Sequence, residues 1–221
     1  MHSVQVYSYA GPVTETPTRR EANKARTREA VTEALRTLLE QRPVQEITVD
    51  QLSEAAGISR RTFFNYYAGL PAVLIEVFAE YAADLLAHID PDQLANGPVQ
   101  AMREVVRPSV LPPEFLGWLA VLNCHDNQDD EAFVLVERAV WAEMGGWLQD
   151  VLQDLMPPGT DPLYLATLAP SVMHSFAAAE SEWVQGLARP GNVTDIDIVT
   201  FCEHLDRALA YLQCGWQPSL P

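Results

Sequence analysis

The stretch from Ile47 to Tyr67, ITVDQLSEAAGISRRTFFNYY, constrains this chain more than any other. Thr48, with Gln51 three residues on, forms a T-x-x-Q capping box, which satisfies two orphan backbone N–H groups at a helix start. Val49, Leu52, Ala55 and Ala56 then follow at helical spacing. Gly57 stops that helix, because the left-handed conformation after a last turn costs glycine little. Ile58 plugs the turn. Ser59 caps a second helix that presents Arg60, Arg61, Thr62 and Asn65 outward, while at least one of Phe63 and Phe64 turns inward. Two short capped helices alone occur in many all-α domains. A second helix that begins Ser-Arg-Arg-Thr, a cationic segment upstream and a closing tyrosine pair point instead to a DNA-reading helix-turn-helix.

The run from Thr48 to Tyr67 resembles the N-terminal domain of the TetR (tetracycline repressor) family of one-component bacterial regulators. The usual pattern there is A-x-x-A-G-V-S-x-x-T-x-Y-x-Y-F after a helix that begins with Thr. With its flanking helices the resemblance covers roughly residues 20 to 90. It implies that the Tyr66 hydroxyl donates to a phosphate, and that Thr48 meets another with its hydroxyl and helix N-terminus. It also implies a dimer, in which the last two helices, at about 161–188 and 194–215, pair with their symmetry mates in a four-helix interface. Family members commonly continue P-S-K-E, with the Lys on a phosphate; here the segment is Ala68-Gly69-Leu70-Pro71, so that contact is absent.

Residue chemistry assigns roles on the expected DNA face without choosing between the two arginines. Arg60 and Arg61 stand at the N-terminal end of the second helix, and either can bond O6 and N7 of guanine while the other meets a phosphate. Ser59 and Thr62 suit a phosphate or a thymine edge, and Asn65 an adenine or a phosphate. Tyr67 is expected in the core. Arg26 belongs to the group Arg19, Arg20, Lys24, Arg26 and Arg28, five cations in ten residues at the start of the first helix, which favours phosphate attraction.

The net charge of −16 argues against a nucleic-acid partner until it is divided along the chain. Residues 1–67 carry nine of the fourteen Lys and Arg against eight Asp and Glu; the remainder carries five against twenty-two. Such asymmetry fits a DNA-reading head on an acidic, soluble body. Cys124, Cys202 and Cys214 show no C-x-x-C or Cys/His spacing, so no metal, cofactor or disulfide framework is expected. Cys124-His125-Asp126 reads as a helix end, since adjacent helical residues point apart. The first residues lack a basic n-region and an apolar h-region, and no apolar run reaches the roughly 18 residues of a membrane span. The expected location is the cytoplasm.

The chain reads as all-α, with about nine helices in a three-helix helix-turn-helix head and a helical ligand-binding and dimerisation body. Expected divisions are a flexible arm over 1–18, the DNA-binding head over 19–68, a connecting helix over 69–90, and the body over 91–221. The first helix is expected to end at Arg42-Pro43. Asp90-Pro91 and Asn96-Gly97-Pro98 mark a loop, and further helices are expected at 98–107, 112–124, 129–155, 161–188 and 194–215. Residues 98–188 hold four of the five tryptophans. For any single aromatic at helical spacing, core packing is the default. As a group they suggest an adaptable apolar cavity. Candidate lining residues are Trp118, Met144, Trp147, Met173, His174, Phe176, Glu180 and Trp183, with Asn123 and Glu143 as further polar groups that could orient a ligand.

The reading that follows is a homodimeric regulator, a repressor, that binds a palindromic double-stranded operator and is released by a small apolar molecule. It is not an enzyme: the sequence offers no metal spacing, no nucleophile–base pairing and no phosphate loop. The competing reading is an all-α small-molecule carrier or enzyme whose basic head is incidental.

Overall fold

The computed structural model describes residues 18–122, 131–187 and 193–215, and all regular structure among them is helical. The elements in order are α1 (Arg19–Leu39), α2 (Val49–Ala55), α3 (Arg60–Phe64), α4 (Leu70–Leu86), α5 (Pro91–Asn96), α6 (Pro98–Val105), α7 (Pro113–Leu122), α8 (Glu131–Leu155), α9 (Pro162–Gly186) and α10 (Asp195–Cys214). A short 3-10 turn, Val44–Glu46, joins α1 to α2. Residues 1–17 of the expected arm, Asn123 and the Cys124-His125-Asp126 cluster lie outside the described residues, while Thr18, expected in the arm, caps α1.

The all-α expectation holds, with ten helices among the described residues rather than about nine. The addition is α5, in the stretch expected to be loop. Asp90 caps it by accepting the Asp92 N–H at 2.8 Å, and Pro91 occupies the first turn, where its missing N–H leaves nothing unsatisfied. α1 begins at Arg19 because Thr18 and Glu21 form a capping box, so all five clustered cations lie on α1 itself. It ends at Leu39, earlier than the expected stop at Arg42-Pro43. The residue before a proline is disfavoured in the α region, and the chain has already turned at Glu40–Arg42. Gly69 caps α4 with Pro71 in its first turn, as its sequence suggests, but that helix closes at Leu86.

Apolar stripes bring these helices together. Val31, Leu35 and Leu39 of α1, Leu52 of α2 and Phe63 of α3 are all fully buried in one core. Burial of such a side chain contributes about 1.5–3 kcal/mol, which is how helices as short as α2 and α3 persist beside α1. α4 then packs on α8, α8 on α9, and α9 on α10. Arg103 ties α6 to α10: its Nε and Nη2 donate to the Asp206 carboxylate at 2.8 and 3.1 Å, and its Nη1 donates to Gln213 at 2.8 Å.

Candidate nucleic-acid interface and helical body

The helix-turn-helix forms as its local chemistry dictates. Thr48 accepts the Gln51 N–H at 3.2 Å, and Gln51 Oε1 accepts from both the Thr48 N–H and hydroxyl at 2.9 and 3.0 Å. Gly57 carries the turn at φ +66°, the left-handed region. Ser59 caps α3 by accepting the Thr62 N–H at 3.0 Å, and its hydroxyl lies 2.7 Å from that of Thr62. The two rings at the centre of α3 divide: Phe63 is fully buried, whereas Phe64 is 47% exposed. That division fixes which side of α3 faces away from the molecule.

On that outward side, Ser59, Arg60, Arg61 and Asn65 are exposed, Thr62 is half-buried, and Tyr66 packs partly against the core. Arg61 makes no ion pair among the described residues. Arg60 does: its Nη1 donates to both carboxylate oxygens of Asp50 in α2, at 2.9 and 3.0 Å. Its guanidinium also lies 5.4 Å from the centroid of the Phe64 ring. Asp50 and Phe64 have no assigned role in the sequence reading. Asp50 stands ten positions before Arg60, beyond the reach of any rule about neighbours on one helix.

The cationic cluster on α1 is only partly available. Arg19, Arg20 and Arg26 are exposed, Lys24 is half-buried, and Arg28 pairs through Nη2 with Glu76 Oε2 of α4 at 3.2 Å. The same Glu76 accepts the hydroxyl of Tyr67 at 2.9 Å. Tyr67 is buried, and burial first, then the negative charge and hydrogen bond of Glu76, push its phenol above the ordinary value. Glu80, one turn further along α4, is also raised, by burial and then by the charge of Glu76. Arg28, Tyr67 and Glu76 thus tie α1 and the end of the helix-turn-helix to α4. Arg28 is a structural cation, not one of a free phosphate-attracting set.

In the body, aromatic rings touch in an unbroken series from α4 to α10. Phe78 stacks on Trp141 at 5.9 Å and meets Phe115 edge-on at 6.0 Å. Phe176 contacts Phe115, Trp141 and Phe201 at 5.7, 5.3 and 5.4 Å, and Trp183 meets Phe201 at 5.4 Å. Of the expected lining residues, Trp118, Met144, Met173, Glu180 and Trp183 are buried, Phe176 and Trp147 are half-buried, and His174 and the further candidate Glu143 are exposed. His174 falls on an exposed α9 stripe with Pro170 and Ala178. The Trp183 indole N–H is committed to the Asp197 carbonyl at 2.8 Å, where it fastens α9 to the start of α10. A separate cleft of about 260 Å³ at the α8–α9 turn is lined by Gln149, Gln153, Thr160 and Leu165 among others, and by none of the expected residues. No group of three or more His, Cys, Asp and Glu is placed to hold a metal among the described residues. No helix among them is long and apolar enough to cross a membrane.

A capped helix, a left-handed glycine turn and a second helix with outward arginines form a helix-turn-helix joined to a body that is helical among the described residues. The chain is similar to the HTH-type transcriptional regulator EthR of Mycobacterium tuberculosis and of Mycobacterium bovis, 36% identical over 75 residues, or 34% of this chain. The match spans 34% of those curated relatives' own length. No family model matches the chain. A solved structure of Thermus thermophilus FadR, a TetR-family transcriptional repressor in complex with lauroyl-CoA, is similar at 22% identity and a TM-score of 0.49, over 88% of this chain and 97% of that one.

Proposed function

We propose that this protein is a ligand-responsive transcriptional repressor of the cytoplasm. In this reading a homodimer binds a palindromic operator, with DNA met by Arg60, Arg61, Thr62 and Asn65, by Ser59, Thr48 and Tyr66 at the edges, and by Arg26 on α1. The head comprises residues 19–68, residues 69–90 connect it, and 91–221 form the effector and dimerisation body. The observation that carries the reading is the division of α3. Phe63 is fully buried in the core, which leaves a polar, cationic side for a major groove.

One such helix reads too few bases for useful specificity, so two copies on a palindrome follow. Exposed apolar side chains on the last two helices support the pairing: Leu163 and Tyr164 on α9, Ile196 and Val199 on α10. A small apolar effector would lie among the body's aromatic and methionine side chains, where rings and flexible thioethers can re-pack around it. It would release the operator by binding one conformation of the dimer better than the other.

Electrophoretic mobility shift with duplexes from the promoters beside its own gene tests the reading. Sequence-specific retardation is expected, weakened by Arg61→Ala. Affinity should fall with salt by about 0.9 log units per log of salt for each phosphate neutralised. A flat salt response with no preference over random duplex would favour a small-molecule carrier instead.

A further inference from the structure

Arg60 and Arg61 stand side by side on α3, yet the molecule treats them differently. Arg60 is held at two points. Its Nη1 faces both oxygens of Asp50 at 2.9 and 3.0 Å, and its guanidinium lies over the Phe64 ring at 5.4 Å. Asp50 is itself well placed, in the first turn of α2 beside the Thr48–Gln51 capping box. The Arg60–Asp50 pair is 63% and 65% exposed at its side chains, so it adds little to stability. Its consequence is orientation. With Nη1 engaged, the Nε and Nη2 donors of Arg60 have no partner among the described residues, and they form the pair of parallel N–H groups that guanine O6 and N7 accept.

We propose that Asp50 is a positioning residue for base reading: it holds Arg60 ready for a guanine in the major groove and leaves the unanchored Arg61 to the phosphate backbone. Charge supports the same division. A phosphate that approached Arg60 would also meet the Asp50 carboxylate and be repelled, whereas a neutral base edge would not. A free arginine must surrender rotamer freedom on reaching a base, and one already held by a carboxylate and a ring surrenders less. Among the described residues Arg61 makes neither an ion pair nor a cation–ring contact.

This inference rests on the operator-binding reading above. Its test begins with selection of a binding site from a random duplex library by the wild-type full chain. Affinities of wild type, Asp50→Ala, Arg60→Ala and the double variant are then measured on that site. A matched set of sites has each guanine replaced in turn by its deaza analogue, which lacks N7. One guanine is expected to cost wild type about tenfold when N7 is removed. Asp50→Ala should lose most of that discrimination while its affinity for random duplex holds or rises, because an anion has left the DNA face. In the Arg60→Ala background, Asp50→Ala should change discrimination no further.

Equal discrimination by wild type and Asp50→Ala would overturn the proposal, as would a further loss in the Arg60→Ala background. Circular dichroism and melting of each variant separate these outcomes from misfolding, and Asp50→Glu, which keeps the carboxylate, should retain part of the discrimination. Failure of wild type to enrich any motif would sink the operator-binding reading and this inference with it. An enriched motif that Asp50→Ala reads as well as wild type would sink this inference alone.

Discussion

Replacing Tyr67 with Phe measures how firmly the helix-turn-helix is tied to α4. The ring is 3% exposed and lies 5.4 Å from that of Phe63, and its hydroxyl donates to Glu76 at 2.9 Å. Phenylalanine keeps the ring contacts and removes only the donor. A hydrogen bond to a charged partner contributes about 1.5–3 kcal/mol. Glu76 keeps its pairing with Arg28, so the loss should fall near the lower bound, about 1.5 kcal/mol. For a chain of this length that is a fall in melting temperature of about 3–6 °C. The alkaline limb supplies an independent check. Burial and Glu76 raise the folded phenol above its ordinary value of 10.0, so the unfolded phenol ionises first as pH rises. The stability gained from Tyr67 is therefore whole below about pH 10 and is lost above it, a loss that phenylalanine cannot show. Melts of both proteins from neutral to strongly alkaline pH should show the widest gap at neutral pH and a narrower one above about pH 10. A gap under about 0.5 kcal/mol at neutral pH, or one that stays constant through the alkaline range, would refute the reasoning.

Other substitutions probe separate links. Gly57→Ala places a Cβ at φ +66° with no atom within 4 Å, so its whole cost is backbone strain, about 1–2 kcal/mol in denaturant melts. A loss well above that would mean the turn is packed more tightly than its geometry indicates. Trp183→Phe removes the bond to the Asp197 carbonyl and part of a side chain that is 1% exposed. About 2–3 kcal/mol should be lost, and an unchanged melt would show that α9 and α10 do not depend on this fastening. Ile196→Asp alters a residue that is 77% exposed, so secondary structure should be unaffected while the proposed dimer weakens about tenfold or more by sedimentation. Unchanged association would remove the last helix from the interface.

Features confined to one turn of helix were readable in the sequence because their partners are close in the chain. The Thr48–Gln51 box, the Ser59 cap and the Gly57 turn all came from spacing alone. Contacts between helices did not. Arg28 reads as one of five equivalent cations until α4 returns beside α1 and sets Glu76 against it. Asp50 carries no assigned role in the sequence until the turn at Gly57 swings Arg60 across to it. At Arg28 counting charges along the chain overstates the cationic head, since the carboxylate that matters lies on α4, beyond the head. The short α5 was missed for a different reason: opened by Pro91 and followed by Gly97-Pro98, its six residues offer no apolar period to detect.

The aromatic body was legible as composition but not as connection. Phe78 reads as one more apolar position on α4, and Phe201 as one on α10. Only the fold shows that rings from α4, α7, α8, α9 and α10 touch in one series. That continuity bears directly on how the proposed effector could act. Close-packed rings at 5.3–6.0 Å leave no room for a molecule unless some of them separate. The pair Phe78 and Trp141 joins α4 to α8, and α4 also carries Glu76, the anchor of Tyr67 and Arg28. A ligand that parts Phe78 from Trp141 must therefore move α4 or α8. Motion of α4 reaches the helix-turn-helix through two polar contacts that have little slack, at 2.9 and 3.2 Å. If the coupling runs this way, Tyr67→Phe should weaken the effector's ability to release DNA more than it weakens DNA binding itself. Equal effects on both would place the coupling elsewhere in the helical body.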